Sequence, residues 1–481
     1  MEATLEQLPD TKVEIVIPRQ ISIPKSCYVD GRHNTIAFID IPGVVNWLLD
    51  THSIITILET DEILIYLGGT YLRFGDQIIK RLLEMAFGNQ LNRKDKPILN
   101  KHIVAEILAK IRSRKLIYLR DLNIGLDPIT KTPLLNVNNG VLNLKTRELQ
   151  PHSPTFIFLN KLPVNYDPTA TCPNYIAWRD DLVDKKFHNV LDEAMGSCLW
   201  PEYKLQKATM LYGKKRTGKG TWIRILLDMI GDYNCSHVTL QELGEHRYKV
   251  ANLFGKMLNT AGDLPPRMVM DVGYFKNLTG EDTVEGEEKF KKAFNFKNRA
   301  NLVFSANALP RLKIDDDAFY GRWIIIPFDR TFYGKEDASR EDCLKTPEEL
   351  SGILNLALDG LDRLRRNNWQ PSYTIDAVNL YKRESNPIYA FLEDLYEPSD
   401  IGYVIKSDLL KAYIAWAKKH GKIPPKSAVA FGSIIKNNSF IPVDGIQVDV
   451  TTKKEKKQAT RIFKDAWLGI RRKKTTKIID I

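Results

Sequence analysis

Residues 213–221 hold the residue types that cradle a phosphate chain: Gly213, Lys214, Lys215, Arg216, Thr217, Gly218, Lys219, Gly220 and Thr221. The glycines let backbone N–H groups turn inward around phosphate oxygens, and Lys219 brings a point charge to the β- and γ-phosphates of ATP. An apolar run at 208–212 precedes the loop, and residues 222–227 continue it at helical spacing. Strand, glycine loop, helix is the context such a phosphate loop requires. The helix N-terminus adds partial positive charge. Gly220 stands where Ser or Thr usually holds Mg2+. Either Thr221 takes that role after a small shift of the loop, or the metal leans on water and a carboxylate.

Three further positions complete a nucleotide-hydrolysing set. The β-like run at 254–263 ends in Asp263, placed to hold Mg2+ through water. No second acid stands beside it, which leaves Glu242, Glu281 and Asp282 as candidates to activate water. The apolar run at 301–306 ends in Asn307, an amide suited to orient an attacking water. Arg322 precedes the buried-type run 323–328. An arginine there can reach a neighbouring subunit's γ-phosphate, whereas a lone arginine is more often a salt-bridge partner. Residues 283–299 read as a β-hairpin in which cations alternate with aromatics. Lys291 and Lys292 near its tip, with Lys289 at its base, are candidate contacts to a DNA backbone. Phe290, Phe294 and Phe296 read as anchors to the core.

Stepping outward, 481 residues make room for about three domains. Residues 1–35 read as a linker or edge strand. Residues 36–190 form an α+β segment with a hairpin turn at Gly68 and Gly69, helix caps at Asp76 and Asn100, and a helical stretch over 175–199. Residues 191–370 alternate apolar runs with helical periods, as an α/β nucleotide-binding domain does. A long helix spans 346–367, and Pro371 follows. Residues 371–481 hold four helices and a basic, β-prone tail; the helix over 427–437 is the candidate for docking on duplex DNA, with the tail as wing.

Composition narrows the classes. Five cysteines lie far apart with no C-x-x-C pair, which argues against a disulfide framework and a zinc ribbon. No apolar run reaches the ~18–20 residues that span a bilayer, and the first residues do not resemble a signal peptide. A soluble, intracellular protein with no membrane partner is expected. The formal net charge is +11, of which residues 451–481 carry +8 (11 Lys+Arg against 3 Asp+Glu). The polyanion signal therefore sits in the tail and, locally, in the hairpin.

The order of these motifs resembles superfamily III helicases, and more narrowly the primase-helicase proteins of phages, plasmids and poxviruses. The resemblance rests on residues 213–221, Asp263, the segment 275–282, the lysines around Lys289, the run 305–310, and Gly321-Arg322-Trp323. Upstream stretches at 139–144 and 162–168, and Trp416 and Trp467 downstream, fit the same family. It implies an AAA+ P-loop core of α/β class between an N-terminal α+β domain and a C-terminal winged-helix domain. It implies a homo-hexamer hydrolysing ATP with Mg2+ at subunit interfaces, translocating on single-stranded DNA and opening forked DNA, with a primase domain or protein as partner. The host-cell cytoplasm is the implied location. Lys219, Asp263, Asn307 and Arg322 would be Walker A, Walker B, sensor and finger, with Arg311 as the alternative finger. The competing expectation is a replication-initiator ATPase that uses ATP as an assembly switch without processive unwinding.

Overall fold

The computed structural model describes all residues except 1–2, 8–13, 19–20, 31–35, 93, 95, 246, 265–270, 290, 311–315, 333–337, 386, 426, 437–443, 450–462 and 474–481. The chain divides into two compact units, one of residues 1–308 and 313–375 and the other of residues 309–312 and 376–481.

The first unit has two main cores. One lies within residues 27–111. Strands Ile54–Ile57, Glu62–Leu67, Thr70–Leu72 and Leu116–Ile117 form its four-stranded sheet. Gly68 and Gly69 both take positive φ (58° and 93°), the turn that suits a tight hairpin. Asn100 caps helix Lys101–Arg112 as its position predicts, accepting from the backbone N–H of His102 and Ile103. Asp76 does not cap helix Gly75–Phe87. It lies inside the first turn and pairs with Arg112, tying the two helices together.

The second core surrounds a five-stranded parallel sheet. Its order is Cys235–Ser236, Leu258–Ala261, Asn301–Ala306, Ala208–Tyr212, Trp323–Pro327. These strands are buried along nearly their whole length, as a sheet covered on both faces demands. The helical stretch expected over 175–199 is two helices, Pro173–Leu182 and His188–Ser197. Val183 between them is extended, and Arg179 folds back to Asp192 at 2.8 Å. The boundary expected at residue 190 falls inside the second of these. That helix packs on Pro347–Arg366 so closely that a Cβ on Gly196 would lie 2.3 Å from the Ala357 carbonyl, and one on Gly360 would lie 2.4 Å from that of Asp192. Leu135, Tyr175 and Met195 share one core with Leu211 and Ile326, so residues 134–199 serve the nucleotide sheet. Thr346 caps the long helix through the Glu349 N–H.

The second unit carries a three-stranded antiparallel sheet ordered Tyr396–Ile405, Phe463–Arg472, Asp444–Asp449. Helices Ala377–Ser385, Pro387–Leu395, Lys406–Lys419 and Ala428–Lys436 accompany it at the expected places. Phe391, Tyr413, Trp416, Phe431 and Trp467 form its core. Helix Ala428–Lys436, the expected duplex reader, has Lys436 as its one cation and leaves Val429 82% exposed. The lysine run at 453–457 lies outside the described residues.

Candidate active site

Strand Ala208–Tyr212 delivers the chain to Gly213, and helix Lys219–Ile230 leaves from Gly218. Two glycines permit the loop. A Cβ on Gly213 would lie 2.2 Å from the Phe328 carbonyl. Gly218 has φ 87°, and a Cβ there would lie 2.2 Å from Leu182. A left-handed residue without a side chain is therefore needed where the helix begins. Trp222, one turn on, is fully buried and donates its indole N–H to the Tyr175 hydroxyl at 3.2 Å, which seats the helix on the core.

Lys219 is 5% exposed. Its Nζ donates to the carbonyls of Gly213 and Lys214, both at 2.6 Å, and to Asn307 Oδ1 at 3.2 Å. Asn307 Nδ2 in turn donates to Asp263 Oδ1 at 3.4 Å. Three sequence-predicted residues thus form one chain. The strand order explains this, because Asn301–Ala306 lies between the loop strand and the Asp263 strand, so its end falls between their ends. Ser305 fixes the acid from the same strand, its Oγ accepting the Asp263 N–H at 3.1 Å while Asp263 adopts φ 47°. Burial pushes the Lys219 ammonium down from its ordinary value, and the Asp263 charge opposes that shift.

Thr221 lies elsewhere. Two positions after Lys219, it turns about 200° around the helix from it. Its hydroxyl accepts from Arg224 at 3.0 Å and lies 3.4 Å from Glu341 Oε2. Glu341 also pairs with Arg224 at 2.5 Å and with Lys345 at 2.9 Å, and Lys345 reaches Asp228 at 3.1 Å. These bonds pin the phosphate-loop helix to the segment that leads into the long helix. The Arg224 hydrogen bond, with that of Lys345 and both charges, outweighs burial and holds the Glu341 carboxyl at about 2, from an ordinary 4.5. A depressed carboxyl stabilises the fold above its unfolded value and loses that contribution as pH falls from about 4.5 towards 2. With Arg224 half-exposed, the contribution is on the order of 1 kcal/mol. Glu341→Gln is therefore expected to lower the urea midpoint at pH 7 and to converge on the parent protein as pH falls from about 4.5 towards 2. A gap that stays constant with pH would contradict this.

Two candidate water-activating acids have partners away from the loop. Glu242 accepts from the N–H and hydroxyl of Thr239, a helix-start motif, and pairs with Lys249 at 2.9 Å. Glu281 pairs with Lys204 at 2.8 Å, beyond the N-terminal end of the loop strand. Asp282 is exposed. Arg322 also lies at that far end. Trp323 pairs with Ala208, five residues and about 16 Å of strand before Gly213. Arg322 NH1 donates to Thr279 Oγ1 at 3.1 Å. Arg311 lies outside the described residues.

The hairpin forms as strands Thr283–Gly286 and Phe294–Lys297, with Gly286 opposite Phe294. Phe294 and Phe296 are buried against Phe254, with ring centroids at 5.3 and 5.6 Å, and anchor the hairpin. Phe290 lies outside the described residues. Lys289, Lys291 and Lys292 are all exposed and all lie in the connecting segment, so Lys289 belongs to the tip rather than the base. Lys291 pairs with Glu288, and Glu288 with Arg73 at 2.9 Å. Arg73 also holds Glu62 at 3.0 Å and sits 4.7 Å above the Phe254 ring. Sequence reasoning missed Arg73, because the ion chain joins residues more than 200 positions apart.

Comparison with known proteins fits this layout. Residues 60–184 match the family model described as D5 N terminal like, and residues 383–469 match the Poxvirus D5 protein-like model. The chain carries D5-type segments on both sides of its glycine loop. Between them, residues 211–322 match a family of unknown function, DUF5906. The chain is 25% identical over 232 residues to "Putative helicase L207/L206" of Acanthamoeba polyphaga mimivirus, covering 43% of this chain and 23% of that protein. It is 25% identical over 237 residues to "Uncoating factor OPG117" of Monkeypox virus, covering 46% of this chain and 29% of that one. The matched stretches thus span less than a third of these relatives. Among solved structures, the NrS-1 C-terminal region aligns with a TM-score of 0.49 at 12% identity, over 89% of this chain and 98% of that one. Among the described residues, no helix is long and apolar enough to cross a membrane, and no cluster of three or more His, Cys, Asp or Glu could hold a metal ion.

Proposed function

We propose that this chain is the motor portion of an ATP-dependent DNA helicase that works as a ring on single-stranded DNA, with an AAA+ core and a C-terminal winged helix. The hydrogen-bonded chain Lys219–Asn307–Asp263 at the mouth of a built glycine loop carries the reading. The two constrained glycines let the loop pack against Phe328 and Leu182 in the tight turn that a phosphate cradle needs. Lys219 takes phosphate charge, Asn307 orients water, and Asp263 is the carboxylate placed to hold Mg2+. That ion, brought with ATP, supplies neutralisation of phosphate charge. The D5-type flanks and a relative named as a helicase support this reading.

The hairpin lysines test it. The double variant Lys291→Ala, Lys292→Ala should keep basal ATP turnover and lose its stimulation by single-stranded DNA, together with unwinding of a forked duplex. Full stimulation in the variant, or no unwinding by the parent protein, would overturn the corresponding part. A second reading is favoured by Gly220 and by the engagement of Thr221 with Arg224 and Glu341, which leave Asp263 without a hydroxyl partner for the metal. On that reading the chain is a replication initiator that binds ATP tightly, assembles and turns over negligibly. Mass measurement of the ATP-bound assembly, beside the unwinding assay, separates the two.

A further inference from the structure

A second basic site lies beside the hairpin, in a groove whose floor includes its aromatic anchors Phe254, Phe294 and Phe296. The strand Phe294–Lys297 alternates strictly, with Phe294 and Phe296 buried and Asn295 and Lys297 exposed. The two exposed side chains therefore stand on one face, about 6.6 Å apart along the strand. They line a groove of about 650 Å3 whose opposite wall comes from the N-terminal segment around Arg120. Arg299 also lines it. Three cations thus border the groove against one acid, Glu59, which accepts the Leu119 N–H at 3.0 Å.

Arg299 makes the groove more than a solvated charge patch. Its NH1 donates to the Ile124 carbonyl, and it forms no ion pair among the described residues. Burial lowers its guanidinium to about 10, against the opposing charge of Glu202. A half-buried cation with no ion pair of its own is costly, and an anion in the groove would offset that cost. Arg120 is 77% exposed and its guanidinium stacks 4.8 Å over the Tyr118 ring, which is itself 46% exposed. A stacked arginine–tyrosine pair beside phosphate-binding cations is the composition of a single-strand platform, offering a flat surface to a base. The groove wall includes Ala293, next to Lys292, so it continues from the hairpin tip. Of the acids nearby, Asp121 lies 3.7 Å from Arg120, Glu281 and Glu202 pair with Lys204 at 2.8 and 3.5 Å, and Glu285 stands exposed opposite Asn295 across the hairpin.

We propose that this groove is a second contact for single-stranded nucleic acid, with Arg120, Lys297 and Arg299 on phosphates and the Tyr118–Arg120 pair under a base. The proposal rests on the DNA-motor reading and extends the strand's path from the hairpin tip to the N-terminal segment. The test uses the full chain and fluorescein-labelled oligo(dT), with anisotropy read between 50 and 300 mM salt. Arg120→Ala, Lys297→Ala leaves the half-buried Arg299 in place, and unchanged binding of a fluorescent ATP analogue certifies the fold. Two lost phosphate contacts should reduce the slope of log affinity against log salt by about 1.4. Tyr118→Ala should weaken binding without changing the slope. Equal slopes for parent and double variant would overturn the groove while leaving the hairpin reading intact. Failure of the parent to bind oligo(dT) would overturn both. Equal competition by poly-glutamate at matched charge would make the groove a general polyanion site and overturn the nucleic-acid assignment.

Discussion

Lys219→Ala should reduce the ATP turnover number by about 100- to 1,000-fold while leaving the fold intact. The ammonium is held by the Gly213 and Lys214 carbonyls and by Asn307, and on the proposed reading it meets developing charge on a phosphoryl group from that fixed position. Pre-organised charge in a buried site contributes far more than the same charge in water. The variant also frees Asn307 Oδ1, so the amide proposed to orient water loses its setting as well. Lys219→Arg should not rescue, because the Lys219 side chain is buried among loop carbonyls and a planar fork does not fit a point-charge site. Steady-state phosphate release and far-UV circular dichroism together decide the matter. Turnover within threefold of the parent, with normal dichroism, would remove Lys219 from the chemistry.

How much of this could be read from residue order follows from the range of the interactions. Local signals translated well. Gly68-Gly69, the Asn100 cap and the four helices after Pro371 each depend on neighbours within a few positions, and each is where its residue types place it. Asp76 failed as a cap because Arg112, a distant partner on the next helix, offers it an ion pair. The break at Val183 was hidden, since apolar residues on both sides keep helical spacing while the backbone turns to bring Arg179 back to Asp192. At the site, motif reasoning named Lys219, Asn307 and Asp263, but their hydrogen-bonded chain depends on strand order, which no local spacing encodes. Thr221 illustrates the opposite case. Helix geometry alone already turns it away from Lys219, and its partner Glu341 lies 120 residues downstream. The Arg73–Glu288–Lys291 chain and the half-buried Arg299 were illegible for the same reason: both are products of packing between distant segments.

Arg322 carries the second large effect. Within its own chain it stands at the end of the sheet opposite the phosphate loop, so a role at the γ-phosphate requires a neighbouring subunit's site. A finger supplied in trans is worth about 10^3- to 10^5-fold in turnover, so Arg322→Ala alone should match or exceed the Lys219→Ala defect. The structure also offers a plain alternative, in which the guanidinium merely braces Thr279 through its 3.1 Å bond. Mixing the two inactive variants separates these. In a head-to-tail ring each interface joins one subunit's loop to the next subunit's Arg322. A Lys219→Ala subunit still presents Arg322, and an Arg322→Ala subunit still presents Lys219. With equal random mixing, roughly a quarter of interfaces would pair an intact loop with an intact finger. Phosphate release should therefore rise well above that of either variant alone, up to about a quarter of the parent rate if the interfaces fire independently. A bracing role predicts no such recovery, because an intrachain bond cannot be restored by another subunit. Mixed rings that stay as inactive as their components would reduce Arg322 to a structural residue and leave the interface without its finger.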